Sequence, residues 1–191
     1  MRVKGEITLV RHGEATNQLK KILCGDAHAP LTDVGKQQAQ RLGHKWHQEE
    51  RTFERTYVST VGRCLETLEQ LQLQHVKLGD IERRDNLREI NVGDLADMSY
   101  TDFVTHPRLH DFGIAYNERF PSGESFCEFR ERIVASLKTI DYDKNTLFIV
   151  HSGVINVILH LIEQVAWTKY PAFTVANCSP IELRGCRLRE I

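Results

Sequence analysis

The segment Leu9-Val10-Arg11-His12-Gly13-Glu14 sets an imidazole between a guanidinium and a residue with no side chain. Taken alone, a histidine at the end of an apolar run reads as a structural residue. Its neighbours add a second reading. Gly13 permits a sharp turn and close approach of backbone to a ligand, and Arg11 offers a planar fork of donors that matches phosphate oxygens. Cations around an imidazole bias it toward the neutral form, leaving a nitrogen lone pair for attack. A second segment, Phe148-Ile149-Val150-His151-Ser152-Gly153, also runs from apolar residues into His and Gly.

Two further segments carry suitable groups. In Ser59-Thr60-Val61-Gly62-Arg63-Cys64-Leu65-Glu66-Thr67, Arg63 falls near the start of an expected helix, where free backbone N–H groups and the dipole also favour an anion. In Leu87-Arg88-Glu89-Ile90-Asn91-Val92-Gly93, Glu89 offers a carboxyl group. Partial desolvation can make such a group a proton donor near neutral pH. In isolation Arg63 reads as a solvated charge and Glu89 as a surface glutamate.

The elements that must position these groups follow from periodicity. Ile7 to Val10 reads as a buried strand that ends at the Arg-His-Gly turn. Thr32 can cap a helix running to about Gln48, with Val34, Ala39, Leu42 and Trp46 toward the core. Thr56 to Val58 is a second strand, followed by a helix from Gly62 to Leu71. Residues 79–123 read as loop-rich, with a short helix near Ser99 to Thr105. The aromatic and charged stretch from His106 to Phe120 is either a lid or an ordinary surface excursion. A helix from Glu124 to Ile140, a strand from Thr146 to Val150 and a helix from Val154 to Gln164 come next, then alternating stretches at Phe173 to Val175 and Ile181 to Leu183. Strands separated by helices predict an α/β sheet covered on both faces, with ligands beyond the carboxyl ends of the strands. His12 and His151 both fall at such ends.

The chain as a whole sets broad bounds. Its 191 residues suit a single domain, and 25 Lys and Arg against 26 Asp and Glu give a formal net charge of -1. That balance speaks against a general nucleic-acid binder. The apolar start of the chain is too short for a signal peptide. The stretch Leu147 to Trp167, broken by His151, Asn156, His160 and Glu163, is unsuited to a membrane span. A cytoplasmic location is expected. Five scattered cysteines without a C-x-x-C pair read as reduced, partly buried thiols rather than a disulfide framework or a zinc site.

Together, Arg11-His12-Gly13, Ser59 with Arg63 and Thr67, Glu89 with Gly93, and His151 with Gly153 resemble the histidine phosphatase, or phosphoglycerate mutase-like, superfamily over nearly the whole chain. Pro30-Leu31-Thr32 with Gly35, and Pro121-Ser122-Gly123-Glu124-Ser125, are supporting matches. The resemblance implies one three-layer α/β/α domain over residues 1–191, with a lid insertion at about 94–123. It implies that His12 attacks phosphorus and carries the phosphoryl group while Arg11, Arg63 and His151 surround its oxygens. Glu89 would protonate the leaving alkoxide and then assist water. No metal or other cofactor is implied. Substrate contacts are expected from Arg11, Arg63, His151, Ser152, Gly25 and an amide at Asn17 or Gln18. The family usually has Asn at the position of Gln18, so either amide could serve. Asp94-Leu95-Ala96-Asp97 departs from the aromatic-acidic pair frequent after the family's glutamate loop, which leaves leaving-group recognition open.

The implied substrate is a small phosphorylated metabolite and the product inorganic phosphate, with no nucleic-acid or membrane partner; a homodimer stays open. The turns Gly25 to Thr32 and Gly93 to Leu95 resemble those of α-ribazole-5′-phosphate phosphatases, which act in cobalamin nucleotide-loop assembly. Alternatives are a sugar-phosphate, broad-specificity or phosphoprotein phosphatase, a phosphoglycerate mutase (disfavoured by the short chain) and a non-catalytic phospho-ligand binding module.

Overall fold

Ile7, Thr8, Leu9 and Val10 are all nearly inaccessible to solvent, as expected of a parallel strand covered on both faces. The computed structural model describes residues 3–105 and 116–189. In chain order its elements are β1 (Glu6–Arg11), α1 (Thr16–Lys20), α2 (Asp33–Gln48), β2 (Arg55–Ser59), α3 (Gly62–Leu73), β3 (Asp80–Arg84), α4 (Tyr100–Thr105), α5 (Phe126–Leu137), β4 (Thr146–Val150), α6 (Ser152–Glu163) and β5 (Ile181–Arg184). The five strands form one sheet in the order β3-β2-β4-β1-β5. β1 to β4 are mutually parallel where they pair, and β5 runs antiparallel along β1. Arg11 stands opposite Val150 in the register. The chain therefore leaves adjacent strands β1 and β4 side by side, directly before His12 and His151.

The alternation of strand side chains divides the core in two. Ile7, Leu9, Tyr57, Phe148 and Val150 pack against Phe129, Ile133 and Leu137 of α5 and Val154, Ile155 and Ile158 of α6. Val10, Val58, Leu147 and Ile149 pack against Ala39, Leu42 and Trp46 of α2 and Leu68 and Leu71 of α3. Helices thus cover both faces. Local signals set the helix starts. Thr32 accepts from the Gly35 N–H at 3.0 Å. Ser125 and Glu128 exchange bonds with each other's backbone at 3.1 and 2.8 Å, forming a capping box.

The structure corrects several expectations. β3 lies where only loop was expected, because Asp-Ile-Glu-Arg-Arg at a sheet edge is largely exposed and carries no apolar pattern. Phe173 to Val175 forms no strand. Asn156 intercepts it, donating to the Phe173 carbonyl at 3.1 Å and accepting from its N–H at 2.9 Å. Val34 is 48 % exposed rather than in the core, since the buried stripe of α2 runs through Ala39, Leu42 and Trp46. Of the expected lid, 94–105 and 116–123 are described and include α4, whereas 106–115 lie outside the described residues. All five cysteines are free. Among the described residues no helix is long and apolar enough to cross a membrane.

Candidate active site

His12 is 4 % exposed. Its backbone N–H continues the sheet by donating to the Val150 carbonyl at 3.0 Å, and its own carbonyl accepts from Asn177 Nδ2 at 2.7 Å. Nδ1 lies 2.7 Å from the Gly13 carbonyl. A carbonyl can only accept, so the proton sits on Nδ1 and Nε2 keeps its lone pair. Burial, reinforced by Arg63 and then Arg11, drives the ring well below the ordinary histidine pKa, against the pull of the Gly13 carbonyl. The imidazole is therefore neutral, with its lone pair at Nε2. Gly13 must be glycine because a Cβ there would lie 2.4 Å from the Gly35 carbonyl oxygen.

Arg63 is 3 % exposed and aims at the same nitrogen, its Nε–H lying 3.0 Å from His12 Nε2. The rest of its guanidinium is held by the carbonyls of Ala27, at 3.1 Å, and Gly25. The flanking motif residues explain themselves. Thr67 donates to the Arg63 carbonyl at 2.7 Å and accepts from the Gly13 N–H at 3.0 Å, tying α3 to the His12 turn. Ser59 Oγ lies 2.9 Å from His151 Nε2. Arg11 donates through Nη1 to the Val175 carbonyl at 2.7 Å, while its buried Nε has no partner among the described residues.

His151 is fully buried behind His12, the two rings meeting edge to face at 5.2 Å between centroids. Burial first, then Arg63, His12 and Arg11, hold its pKa well below the ordinary value. The positive charge of the site thus comes from the two arginines, both imidazoles being neutral. Cys64 Sγ touches His151 Nε2 at 3.4 Å. Burial pushes that thiol up to about 12, which removes it as a nucleophile.

Glu89 reaches across from the loop after β3. Its carboxylate accepts from the Gly153 N–H at 3.0 Å, in the first turn of α6, and from the Ile90 N–H at 3.1 Å. A Cβ on Gly153 would lie 2.2 Å from Glu89 Oε1, so the second glycine of the pattern is there to admit the carboxylate. Arg132 of α5 fastens this loop from below. It donates to the carbonyls of Asn86, Arg88 and Glu89 at 3.0 to 3.3 Å and pairs with Glu124 at 2.6 Å.

These groups border a cleft of about 230 Å³ lined by Arg11, His12, Asn17, Cys24, Gly25, Arg63, Glu89, Tyr100 and Ser152, with Leu23, Ile90 and Val92. Of the expected site residues, all but Gln18 and His151 reach its wall. Asn17 presents a buried Oδ1 with no partner among the described residues. Gln18 is engaged instead with Asn177, at 3.0 and 3.1 Å, and braces the His12 loop from behind. His151 supports His12 from the interior, and the Gly25 carbonyl holds Arg63. Sequence reasoning missed Tyr100, Asn177 and Arg132. None sits in a recognisable local pattern, and each acts only through chain segments distant from it. Among the described residues no three His, Cys, Asp or Glu side chains converge as metal donors.

Comparison with known proteins fits this geometry. The family model described as histidine phosphatase superfamily (branch 1) matches residues 7–187. A 6-phosphofructo-2-kinase/fructose-2,6-bisphosphatase of Aquarana catesbeiana is 27% identical over 97% of this chain, which spans only 39% of that protein. Among solved structures, the α-ribazole phosphatase from Shigella flexneri superposes with TM-score 0.79 at 21% identity, covering 97% of this chain and 96% of that one. A phosphoglycerate mutase from Thermus thermophilus gives TM-score 0.73 at 24% identity, covering 96% and 97%. At such identities the two superpositions show a shared fold. The chain belongs to the histidine phosphatase superfamily, branch 1.

Proposed function

We propose that the protein is a metal-independent phosphomonoesterase that carries the phosphoryl group transiently on His12. The observation that carries this reading is the neutral His12 ring, its Nδ1 proton placed on the Gly13 carbonyl and its Nε2 facing Arg63. Nε2 attacks phosphorus, and the P–N bond forms as the bond to the leaving alkoxide oxygen breaks. Arg11 and Arg63 stabilise the charge spread over the equatorial oxygens, the main source of acceleration in most phosphoryl transfers. Glu89, across the cleft, gives its proton to the alkoxide. In the second half a water attacks phosphorus, Glu89 takes its proton, the P–N bond breaks and inorganic phosphate leaves. Dividing one displacement into two is the gain of the covalent route. Asn17 adds an amide to the phosphate site and Ser152 the hydroxyl at the α6 N-terminus. The substrate in this reading is a small phosphorylated metabolite. α-Ribazole 5′-phosphate is the candidate supported by the turns at Gly25 to Thr32 and by the name of one fold neighbour.

The test is a rapid-quench experiment with a radiolabelled phosphomonoester in the presence of EDTA. Wild-type protein is expected to release phosphate and to retain label that is stable to alkali and lost in acid, and His12→Ala to do neither. Label persisting in His12→Ala would remove His12 from its role, and turnover abolished by EDTA would remove the metal-independent mechanism.

A further inference from the structure

The wall of the cleft combines cationic and apolar groups. Arg11 and Arg63 are the only cationic side chains that line it among the described residues. Both are needed by one phosphoryl group bound at His12. The nearby Arg88 is already paired with Asp26 at 2.8 Å and Asp85 at 3.1 Å. The carboxyl group on the wall is Glu89, which offers no positive charge, and Leu23, Ile90, Val92 and the ring of Tyr100 supply its apolar surface.

That apolar wall is built in rather than incidental. Leu23, Val92 and Leu95 form a small core of their own, backed by Ile90, Met98, Phe103 and Phe120. The strip that carries Leu23 is zipped to the strip that leads into α4. The Leu23 N–H donates to the Met98 carbonyl at 2.8 Å, Asp97 donates back to Leu23 at 2.9 Å, and the Tyr100 N–H donates to Lys21 at 3.0 Å. Tyr100 is thereby fixed at the mouth, 45 % exposed. A second carboxylate or phosphate on the substrate would lose its hydration against this wall and meet no further cation of the lining among the described residues, an unfavourable transfer.

We infer that the ester hydrolysed in this cleft carries a single phosphate on an uncharged leaving group with an apolar face, and that Tyr100 is the residue that selects it. The inference rests on the phosphatase reading and narrows it, setting bisphosphates and phosphorylated carboxylic acids aside. Recognition is by burial of an apolar ring or chain against Leu23, Ile90, Val92 and Tyr100, a common division of labour in small-molecule sites.

The experiment compares benzyl phosphate with 4-carboxybenzyl phosphate, which differ by one remote charge and have similar leaving groups. Wild-type kcat/KM is expected to favour benzyl phosphate by about tenfold or more. Tyr100→Lys, which places a cation at the mouth, is expected to bring that ratio to near one or to invert it. Because the readout is a quotient, a general loss of activity in the variant cancels. Equal wild-type kcat/KM for both esters, or a ratio that Tyr100→Lys leaves in place, would overturn the inference. The dissociation constants of benzylphosphonate and 4-carboxybenzylphosphonate, measured by calorimetry, separate it from the reading beneath it. Preferential binding of benzylphosphonate over its carboxylated analogue without any ester turnover would discard the phosphatase mechanism and keep the specificity, and equal binding would discard the specificity alone.

Discussion

Two imidazoles, two guanidinium groups and one carboxylate do different work here because their surroundings differ. His12 and His151 are held neutral by burial and by the arginines beside them. In the proposed mechanism only Arg11 and Arg63 therefore meet the phosphate as cations, while His12 supplies the lone pair and His151 the packing behind it. Glu89 is placed by two backbone donors, Gly153 and Ile90. Glutamine at position 89 keeps the shape and removes the proton. Glu89→Gln is expected to slow hydrolysis of alkyl phosphates by about 10²- to 10⁴-fold, the usual range for general acid catalysis. It should slow the first step on p-nitrophenyl phosphate far less, since that leaving group departs without protonation. Single-turnover rates on the two substrates give the comparison, and equal losses would take the acid role from Glu89.

At the scale of elements, the strand ends and the glycine turns were legible, because a buried strand followed by His-Gly is a local pattern. Arg11 and His12 could be named for the same reason, whereas Arg63 and Glu89, each a surface charge when read alone, could be named only from the combination of motifs. Glu89 and Gly153 had no visible connection in sequence, although the structure puts the carboxylate where a Gly153 Cβ would go. Asn177 and Arg132 escaped because each acts on backbone far along the chain, binding the carbonyls of His12 and of Asn86 to Glu89. β3 escaped because a charged edge strand is specified by its neighbour β2 and not by its own apolar content. The Glu89–Gly153 contact makes a prediction in which stability and activity separate. Gly153→Ala places a methyl 2.2 Å from Glu89 Oε1 and 2.9 Å from the Tyr170 hydroxyl, so the carboxylate must move aside. Displacing a catalytic group by about 1 Å costs roughly 10²-fold in rate. In the first turn of α6 the same change replaces the poorer helix former, worth up to about 1 kcal/mol in its favour. Activity on alkyl phosphates should thus fall steeply while the urea midpoint holds. Retained activity would show that Glu89 does not depend on this approach.

For the whole molecule, the site sits in the seam where β1 and β4 lie between the two halves of the core, and its chemistry is coupled to folding. His12 and His151 are 4 % and 0 % exposed, and both pKa values are depressed in the folded state. In the unfolded chain the rings return to an ordinary value of about 6.5. Below that pH the unfolded chain binds protons that the folded one refuses, so stability is full above about 6.5 and is lost as pH falls toward the depressed folded values. Each ring contributes a slope of up to about 1.4 kcal/mol per pH unit. With centroids 5.2 Å apart the two titrate as a pair, since charging one opposes charging the other. Urea unfolding between pH 7.5 and 5 should therefore show wild-type stability declining across the lower part of that range, before most carboxylates begin to protonate. A His12→Gln, His151→Gln double variant, whose amides carry no titrating proton, should decline less steeply by up to about 2.7 kcal/mol per pH unit. The other histidines are common to both proteins and cancel in the difference. Parallel curves for the two would mean that the fold does not hold the imidazoles at the strand ends neutral, and His12 would then surrender its lone pair to a proton as pH falls through about 6.5.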